Sequence, residues 1–144
     1  MDWVLPALGG FALGLLSSSL ILLVQRRWQE QRDATYTKNV LRSLVLETEE
    51  GLGRAKGMVR QLDSGQVSLG RIYTGLWDTT SERLAATLSD VEALALLHRI
   101  YYRFDLVNFN CDRGELVAAA AFAKEYMTEL EANFCRLSAM VEHT

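Results

Sequence analysis

Two clusters of glutamates are the groups in this chain best suited by type and spacing to acid–base chemistry. The clusters consist of Glu47, Glu49, Glu50, Glu125, Glu129 and Glu131. Paired carboxylates can exchange protons during catalysis when burial separates their pKa values. Because both clusters lie beside other polar residues, we expect solvated helix faces there and no catalytic residues.

The histidines and cysteines show no metal-ligand spacing. His98 and His143 have no His, Cys, Asp or Glu partner at the spacing that zinc or di-iron sites require. Because His98 lies beside Leu97, we expect it to be a half-buried core residue. If Cys111 and Cys135 share the last helix, they lie ~36 Å apart, too far for a disulfide. We expect reduced, buried thiols. The chain also lacks the glycine motifs of phosphate loops and nucleophile elbows, so we predict no metal, no cofactor and no enzyme activity.

Charge is mixed along the C-terminal part of the chain. The 144 residues carry a formal net charge of −3, and basic residues alternate with acidic ones. No basic stripe is available to neutralise several phosphates, which argues against nucleic acid as a partner. The length leaves room for one small domain.

The N-terminus has the composition of a transmembrane anchor. From Trp3 to Val24 there is no ionisable side chain, and a helix over this stretch is ~33 Å long, enough for a hydrocarbon core of ~30 Å. A cleaved signal peptide is the alternative. Such peptides begin with basic residues, whereas this chain begins with Asp2, so we predict a retained anchor and basic juxtamembrane segment at residues 1–33.

The flanks of the anchor predict its orientation. Arg26, Arg27 and Arg32 follow the span and no basic residue precedes it, which places the C-terminal domain on the cytoplasmic side of the inner (plasma) membrane. Trp3 and Trp28 bracket the span and are expected at the two interfaces as aromatic anchors.

A ridge of small residues runs along the predicted span. Gly10, Gly14 and Ser18 recur at a spacing of four, which lets a second helix approach closely in lipid. Packing against a partner protein or a second copy and exposure of the ridge to the lipid bilayer are both open at this point.

The remainder, residues 34–144, predicts an all-α antiparallel bundle of three or four helices in the cytoplasm. Apolar residues recur at three-four spacing, and three capping-box patterns mark helix starts. The boxes are Thr79 with Glu82, Ser89 with Glu92, and Asp112 with Glu115. Helices are therefore expected at 36–63, 80–88, 90–110 and 113–141, with a connector at 64–79.

Several bundle residues have a predicted structural role. The expected core includes Trp77, Tyr101, Phe104, Met127, Leu130 and Phe134. Gly51, Gly53 and Gly57 each cost a helix ~1 kcal/mol, which indicates either close helix contact or a locally frayed or kinked helix. Asn108 lies on an apolar face, where a buried amide would need partners such as backbone carbonyls of the connector. Capping of the turn near 110 is the simpler interpretation, and we favour it. Whether the anchor and the first bundle helix are continuous stays open.

The segment from Leu76 to Asn108, preceded by LRSLVLETEEGL, resembles a loose class of bacterial membrane-anchored helical proteins of unassigned function. The corresponding positions are Glu47, Trp77, Asp78, Tyr101 and Asn108. The glycines of the first helix and Cys111 depart from the pattern of that class. The resemblance implies the architecture and no activity.

Two functions fit this organisation. The first is a non-catalytic, membrane-anchored interaction protein, an accessory or scaffolding subunit of a larger membrane complex that binds through the anchor or the bundle. The second is a membrane-tethered sensor that relays a change through a continuous helix. Only Met1 and Asp2 precede the span, which disfavours detection of an external ligand.

Overall fold

The computed structural model describes the backbone of residues 4–68 and 70–142 and the side chains of residues 20–68 and 70–142. In these residues the chain is all-helical, with α1 (Val4–Asp63), α2 (Gly75–Thr87), α3 (Val91–Asp112) and α4 (Leu116–Glu142). The prediction of an all-α helical bundle is confirmed.

The chain divides into two compact units, Met1–Tyr36 and Thr37–Thr144. The helix α1 belongs to both, and the second unit, which we call the bundle unit, also contains α2, α3 and α4.

Among the residues whose side chains are described, no helix is long and apolar enough to cross a membrane. The predicted span from Trp3 to Val24 lies for most of its length outside these residues.

Hydrogen bonds between α1 and α2 show that these helices are antiparallel. The Thr37 hydroxyl donates to the Thr87 hydroxyl at 2.9 Å, near the C-terminal end of α2. Further along α1, the Glu47 carboxylate accepts from the backbone N–H of Leu76, at the start of α2. The same carboxylate accepts from the hydroxyl of Tyr101, near the middle of α3.

Ion pairs show the direction of α4. Lys56 and Glu131 are 2.8 Å apart, and Asp63 and Lys124 are 2.6 Å apart, so α4 is antiparallel to α1. The short connections between α2 and α3 and between α3 and α4 complete an up-down-up-down arrangement. Since these pairs are exposed, they contribute little stability and serve here to establish direction.

Glycines end α1 and α3. Gly65 has φ of 79° and Gly114 has φ of 75°, the left-handed conformation that commonly follows the last helical residue. The N–H of Gln66 donates to the Gln61 carbonyl at 3.0 Å, which satisfies one of the carbonyls left open at the end of α1. The predicted end of this helix near residues 64 and 65 is confirmed.

The predicted start of α2 is wrong. This helix begins at Gly75, and the Thr79 hydroxyl donates back to the Gly75 carbonyl at 2.9 Å instead of capping a helix.

The start of α3 is shifted by one residue, because Asp90 and not Ser89 accepts from the N–H groups of Glu92 and Ala93, both at 3.0 Å.

The predicted start of α4 is also wrong. Asp112 is the last residue of α3, and α4 begins at Leu116 after the turn at Gly114. The two residues with capping-box spacing, Asp112 and Glu115, therefore lie on opposite sides of the left-handed Gly114, and Asp112 cannot cap α4.

The core of the bundle unit is formed by apolar side chains from all four helices. Tyr101 and Phe104 are fully buried, and Leu130 and Trp77 are buried. Met127 and Phe134, which the sequence also placed in the core, are half-buried. Asn133, beside Phe134, is buried at 7% exposure, so the buried face of α4 is rotated slightly from the one predicted.

Candidate functional site

A buried carboxylate on α1 joins three elements of the bundle unit. Glu47 accepts from the backbone N–H groups of Leu76 at 2.9 Å and of Trp77 at 3.2 Å. It also accepts from the Tyr101 hydroxyl at 2.8 Å. With Thr48, whose hydroxyl donates to the Tyr101 oxygen at 3.5 Å, these residues form what we call the Glu47 cluster.

Glu47 caps α2 from another helix. The first N–H groups of a helix have no intrahelical acceptor and carry partial positive charge, so a carboxylate there is stabilising. Thr74, at the N-cap position, makes no capping bond to them, and its hydroxyl donates to Asp78 at 3.1 Å. The cap that the local sequence of α2 does not supply therefore comes from α1.

The prediction that Glu47 belongs to a solvated face is wrong. Its side chain is buried at 9% exposure, whereas Glu49 and Glu50 are exposed. A signal for this was present in the sequence, because Glu47 lies three residues after Leu44 and four before Gly51, on the helix face that the apolar spacing predicts to be buried.

Aromatic side chains pack against the Tyr101 ring. Trp77 stacks on Tyr101 with ring centroids 4.7 Å apart and an interplanar angle of 8°. Phe104 packs edge-on against Tyr101 at 5.8 Å. His98 contacts Trp77 edge-on at 4.8 Å but is exposed, so its prediction as a half-buried residue is wrong.

Burial raises the pKa of the Tyr101 hydroxyl well above its ordinary value. The Thr48 hydroxyl lowers this pKa, and the Glu47 carboxylate raises it. The neutral hydroxyl is therefore the form that the fold accommodates, and it serves as a hydrogen-bond donor.

Substituting Tyr101 by phenylalanine is expected to give a pH-dependent loss of stability. At pH 8 the lost hydrogen bond costs about 1 kcal/mol. Above an unfolded-state pKa of 10.0, the wild-type tyrosine loses its proton on unfolding but not when folded. The contribution of Tyr101 to the free energy of unfolding is therefore fully present below the unfolded-state pKa. Above that pKa it declines by up to about 1.4 kcal/mol per pH unit.

The cost of Tyr101→Phe should therefore shrink toward zero or change sign between pH 8 and pH 11. Urea unfolding of the full chain in detergent measures it, with the exposed Tyr102→Phe as control. A cost that is the same at both pH values would contradict the burial of a neutral Tyr101.

Asn108 holds the connector between α1 and α2. Its Oδ1 accepts from the Ile72 N–H at 2.7 Å, and its Nδ2 donates to the Ile72 carbonyl at 2.9 Å. The favoured interpretation of Asn108 as a cap of the turn near 110 is wrong, because its buried amide is bonded to the backbone of Ile72. Both polar groups of Ile72 are satisfied this way, which lets its side chain enter the core at 1% exposure.

The buried polar groups of the described residues are hydrogen-bonded. In the part of the chain that is described, every buried side-chain nitrogen or oxygen atom has a hydrogen-bond partner. The lone pairs of Glu47 are engaged by two backbone N–H groups and a hydroxyl, and the arrangement positions α2 and the connector. Among the described residues, no three His, Cys, Asp or Glu side chains are placed to hold a metal ion.

The cysteines lie apart and form no disulfide. Cys111 is half-buried near the end of α3, and Cys135 is exposed on α4, so they do not share a helix and the prediction of buried thiols fails for Cys135. Burial and the Asp112 charge raise the pKa of the Cys111 thiol.

The predicted membrane-proximal residues lie in the N-terminal unit. Trp28 is 69% exposed, and Arg26, Arg27 and Arg32 are exposed, with Arg26 paired to Glu30 at 3.1 Å. Four of the predicted residues lie outside those whose side chains are described, and these are Trp3, Gly10, Gly14 and Ser18.

Comparison of the chain with protein-family models, with curated proteins and with solved structures finds no match. The structure brings together three of the five positions that carry the resemblance to membrane-anchored helical proteins. Glu47, Trp77 and Tyr101 are in direct contact, and Asn108 holds the connector one helical turn beyond Phe104.

Proposed function

We propose that this chain is a single-pass protein of the inner (plasma) membrane whose bundle unit is a non-catalytic interaction domain in the cytoplasm. In this proposal it serves as an accessory or scaffolding subunit of a larger membrane protein complex. Its partners are the lipid bilayer and another protein or a second copy, bound through the anchor helix and the bundle.

One structural observation carries the membrane part of the proposal. Leu20, Ile21, Leu22, Leu23 and Val24 are consecutive on α1, and their exposed fractions range from 49% to 65%. Five consecutive helical positions point in all directions around the axis. A helix that is apolar all round is stable only when lipid or protein covers it.

The residues that follow support the orientation. Trp28 and the three arginines are exposed directly after the apolar segment, where an indole and guanidinium groups match the membrane–water interface. The basic flank on this side favours a cytoplasmic bundle unit.

The buried polar groups support an interaction role over catalysis. The buried side chains of Glu47 and Asn108 are both committed to hydrogen bonds with backbone groups. Their effect is to hold α2 and the connector rigidly on the bundle, which is the requirement for presenting a defined surface to a partner.

Membrane fractionation tests the anchor. After gentle lysis the full chain should sediment with membranes and resist extraction by alkaline carbonate, because ~20 apolar residues hold a helix in lipid. A protease added outside intact cells should leave the C-terminus uncut. Recovery in the soluble fraction, or cleavage from outside, would contradict the proposal.

A pull-down in mild detergent tests where a partner binds. Gly10→Leu combined with Gly14→Leu should lower partner recovery if the small-residue ridge is the interface. Ala12→Leu is the matched control, since residue 12 points away from Gly10 on an ideal helix. Unchanged recovery with the double substitution would assign the interface to the bundle unit, and absence of any partner would contradict an interaction role.

A second candidate, the membrane-tethered sensor, is supported by one observation. Helix α1 extends from Val4 to Asp63 and carries Glu47, so a rotation or shift of α1 would act directly on the N-terminus of α2. A change in the packing of Trp77 on altering membrane composition or potential, measured by its fluorescence, would distinguish this sensor from a passive scaffold.

A further inference from the structure

Two of the three arginines that follow the apolar segment of α1 have no partner within the protein. Arg26 pairs with Glu30 at 3.1 Å. In the part of the chain whose side chains are described, the guanidinium groups of Arg27 and Arg32 contact no carboxylate and make no hydrogen bond. Both are exposed, so they are free to bind an anion from outside the chain. A guanidinium suits a phosphate because its N–H groups donate to two oxygens at once.

Arg32 lies on the same face of α1 as Trp28. Both line an open groove within the N-terminal unit, which we call the Trp28 groove, together with Val24, Gln25 and Gln29. Val24, Trp28 and Arg32 recur at a spacing of four, which stacks them about one helical turn apart. Along the groove an apolar end is followed by an indole, two amides and a guanidinium. This is the order of polarity from the acyl chains to the phosphates of a lipid leaflet.

The dimensions of a bilayer place the Trp28 groove at the depth of the phosphates. The headgroup layer is ~6 Å thick on each side of a hydrocarbon core of ~30 Å. With the core ending at Val24, the Cα of Trp28 lies ~6 Å beyond it and the Cα of Arg32 ~12 Å beyond it. Helical side chains lean toward the N-terminus, which is here the lipid side, and long basic side chains extend toward the interface. A phosphate in the headgroup layer is therefore within reach of the Arg32 guanidinium.

The charge balance favours a lipid with a net negative charge. Residues 25–33 contain three arginines against the two carboxylates of Glu30 and Asp33, which leaves a net charge of +1. Glu30 is occupied by Arg26, and Asp33 is half-buried and lies further from the apolar segment than Arg32. A zwitterionic headgroup carries its own cation, which the unpaired guanidinium groups repel, whereas an anionic headgroup is only attracted.

We propose that the Trp28 groove binds the phosphate and one acyl chain of an anionic phospholipid. Arg32 donates to the phosphate, and Val24 and Trp28 contact the acyl chain. Arg26 takes no part, because Glu30 holds it. This inference rests on the proposed function as a membrane protein and names the class of lipid that the chain selects from the bilayer.

Fluorescence quenching of Trp28 tests the proposal on the full chain. Trp3→Phe and Trp77→Phe leave Trp28 as the single tryptophan. This chain is placed in vesicles of equal amounts of phosphatidylglycerol and phosphatidylcholine. One of the two lipids carries bromine on its acyl chains, which quenches an indole on contact. Quenching should be at least about threefold stronger when the anionic lipid carries the bromine, because a basic residue at the surface attracts that lipid.

Arg32→Gln should bring the ratio of the two quenching values close to unity. Arg26→Gln is the matched control, since it removes the same charge from the same segment. It should leave the ratio unchanged, because Arg26 is already paired with Glu30. A diffuse attraction of anionic lipid would lower the ratio in both variants, which would overturn the proposal. A ratio of unity in the chain that keeps Arg32 would also overturn it.

Inorganic phosphate should reduce the quenching no more than sodium chloride of the same ionic strength, because it offers no acyl chain to Val24 and Trp28. Stronger displacement would assign the groove to a free anion and contradict the proposal.

Circular dichroism of each variant checks folding. The chain with its native tryptophans, purified from the same vesicles in mild detergent, should retain phosphatidylglycerol over phosphatidylcholine when the bound lipids are measured by mass spectrometry. Quenching by neither lipid would place Trp28 outside the bilayer and contradict the proposed function as well, whereas equal quenching by both would contradict only the lipid selectivity.

Discussion

Replacing Glu47 by alanine is expected to lower the free energy of unfolding by about 3 kcal/mol. The substitution leaves the N–H groups of Leu76 and Trp77 and the hydroxyl of Tyr101 without their acceptor in a buried site. A buried donor that loses its partner costs about 1 to 3 kcal/mol, and neighbouring losses do not add fully. The start of α2 should fray, because Thr74 does not cap it.

Glu49→Ala is the matched control, since it removes the same side chain from an exposed position two residues away. Its expected effect is within about 0.5 kcal/mol. Urea unfolding of the full chain in detergent, followed by near-ultraviolet circular dichroism, measures both variants.

Glu47→Gln keeps the shape and one acceptor oxygen, so it should fall between wild type and Glu47→Ala. It also keeps the experiment informative should the alanine variant fail to fold. Equal stability of Glu47→Ala and Glu49→Ala would show that the carboxylate does not hold α2.

Alanine substitutions at Gly51 and Gly53 are expected to change stability in opposite directions. A Cβ at Gly51 would lie 2.6 Å from Cε2 of Phe104 and 2.9 Å from Cγ2 of Ile72. Phe104 is fully buried against Tyr101, and Ile72 is held by Asn108, so neither can withdraw easily. Overpacking of about 1 to 3 kcal/mol exceeds the helix-propensity gain of about 1 kcal/mol.

Gly53 is two residues away on the same helix, and a Cβ there meets nothing within 4 Å. Gly53→Ala should therefore raise stability by about 1 kcal/mol, while Gly51→Ala lowers it by up to about 2 kcal/mol. Thermal and urea unfolding of both variants measure the difference. A stabilising Gly51→Ala would show that Phe104 and Ile72 do not pack as closely as described.

This pair of glycines resolves one alternative that the sequence left open. The sequence allowed either close helix contact or a frayed or kinked helix at these glycines. Close contact is what the structure shows at Gly51, where the Phe104 ring and the Ile72 side chain occupy the space that a Cβ would need. Gly53 has no such neighbour, and α1 continues past both residues to Asp63. The apolar spacing places Gly51, and not Gly53, on the face of α1 that is expected to be buried, but only the structure shows which side chains fill the space of the missing Cβ.

The end of α1 and the long helices α3 and α4 were predictable from sequence, because a glycine stop and apolar periodicity are local signals. The start of α2 was not. Its capping carboxylate, Glu47, lies 29 residues before Leu76, and no pattern within α2 points to it. The capping-box spacing at Thr79 is a local signal, and it does not predict the start of α2 because the cap comes from Glu47 on another helix.

The sequence by itself determined the helical class, the apolar N-terminal stretch and most of the core. These follow from the helical periodicity of apolar residues and from the hydrophobic effect, which favours burial of apolar side chains. Only the tertiary structure decided which polar groups are buried together. Glu47 accepts a hydrogen bond from Tyr101, which is 54 residues away in the sequence. Asn108 donates a hydrogen bond to the Ile72 carbonyl, which is 36 residues away. A buried polar group needs a partner, and which one it finds depends on how whole helices pack.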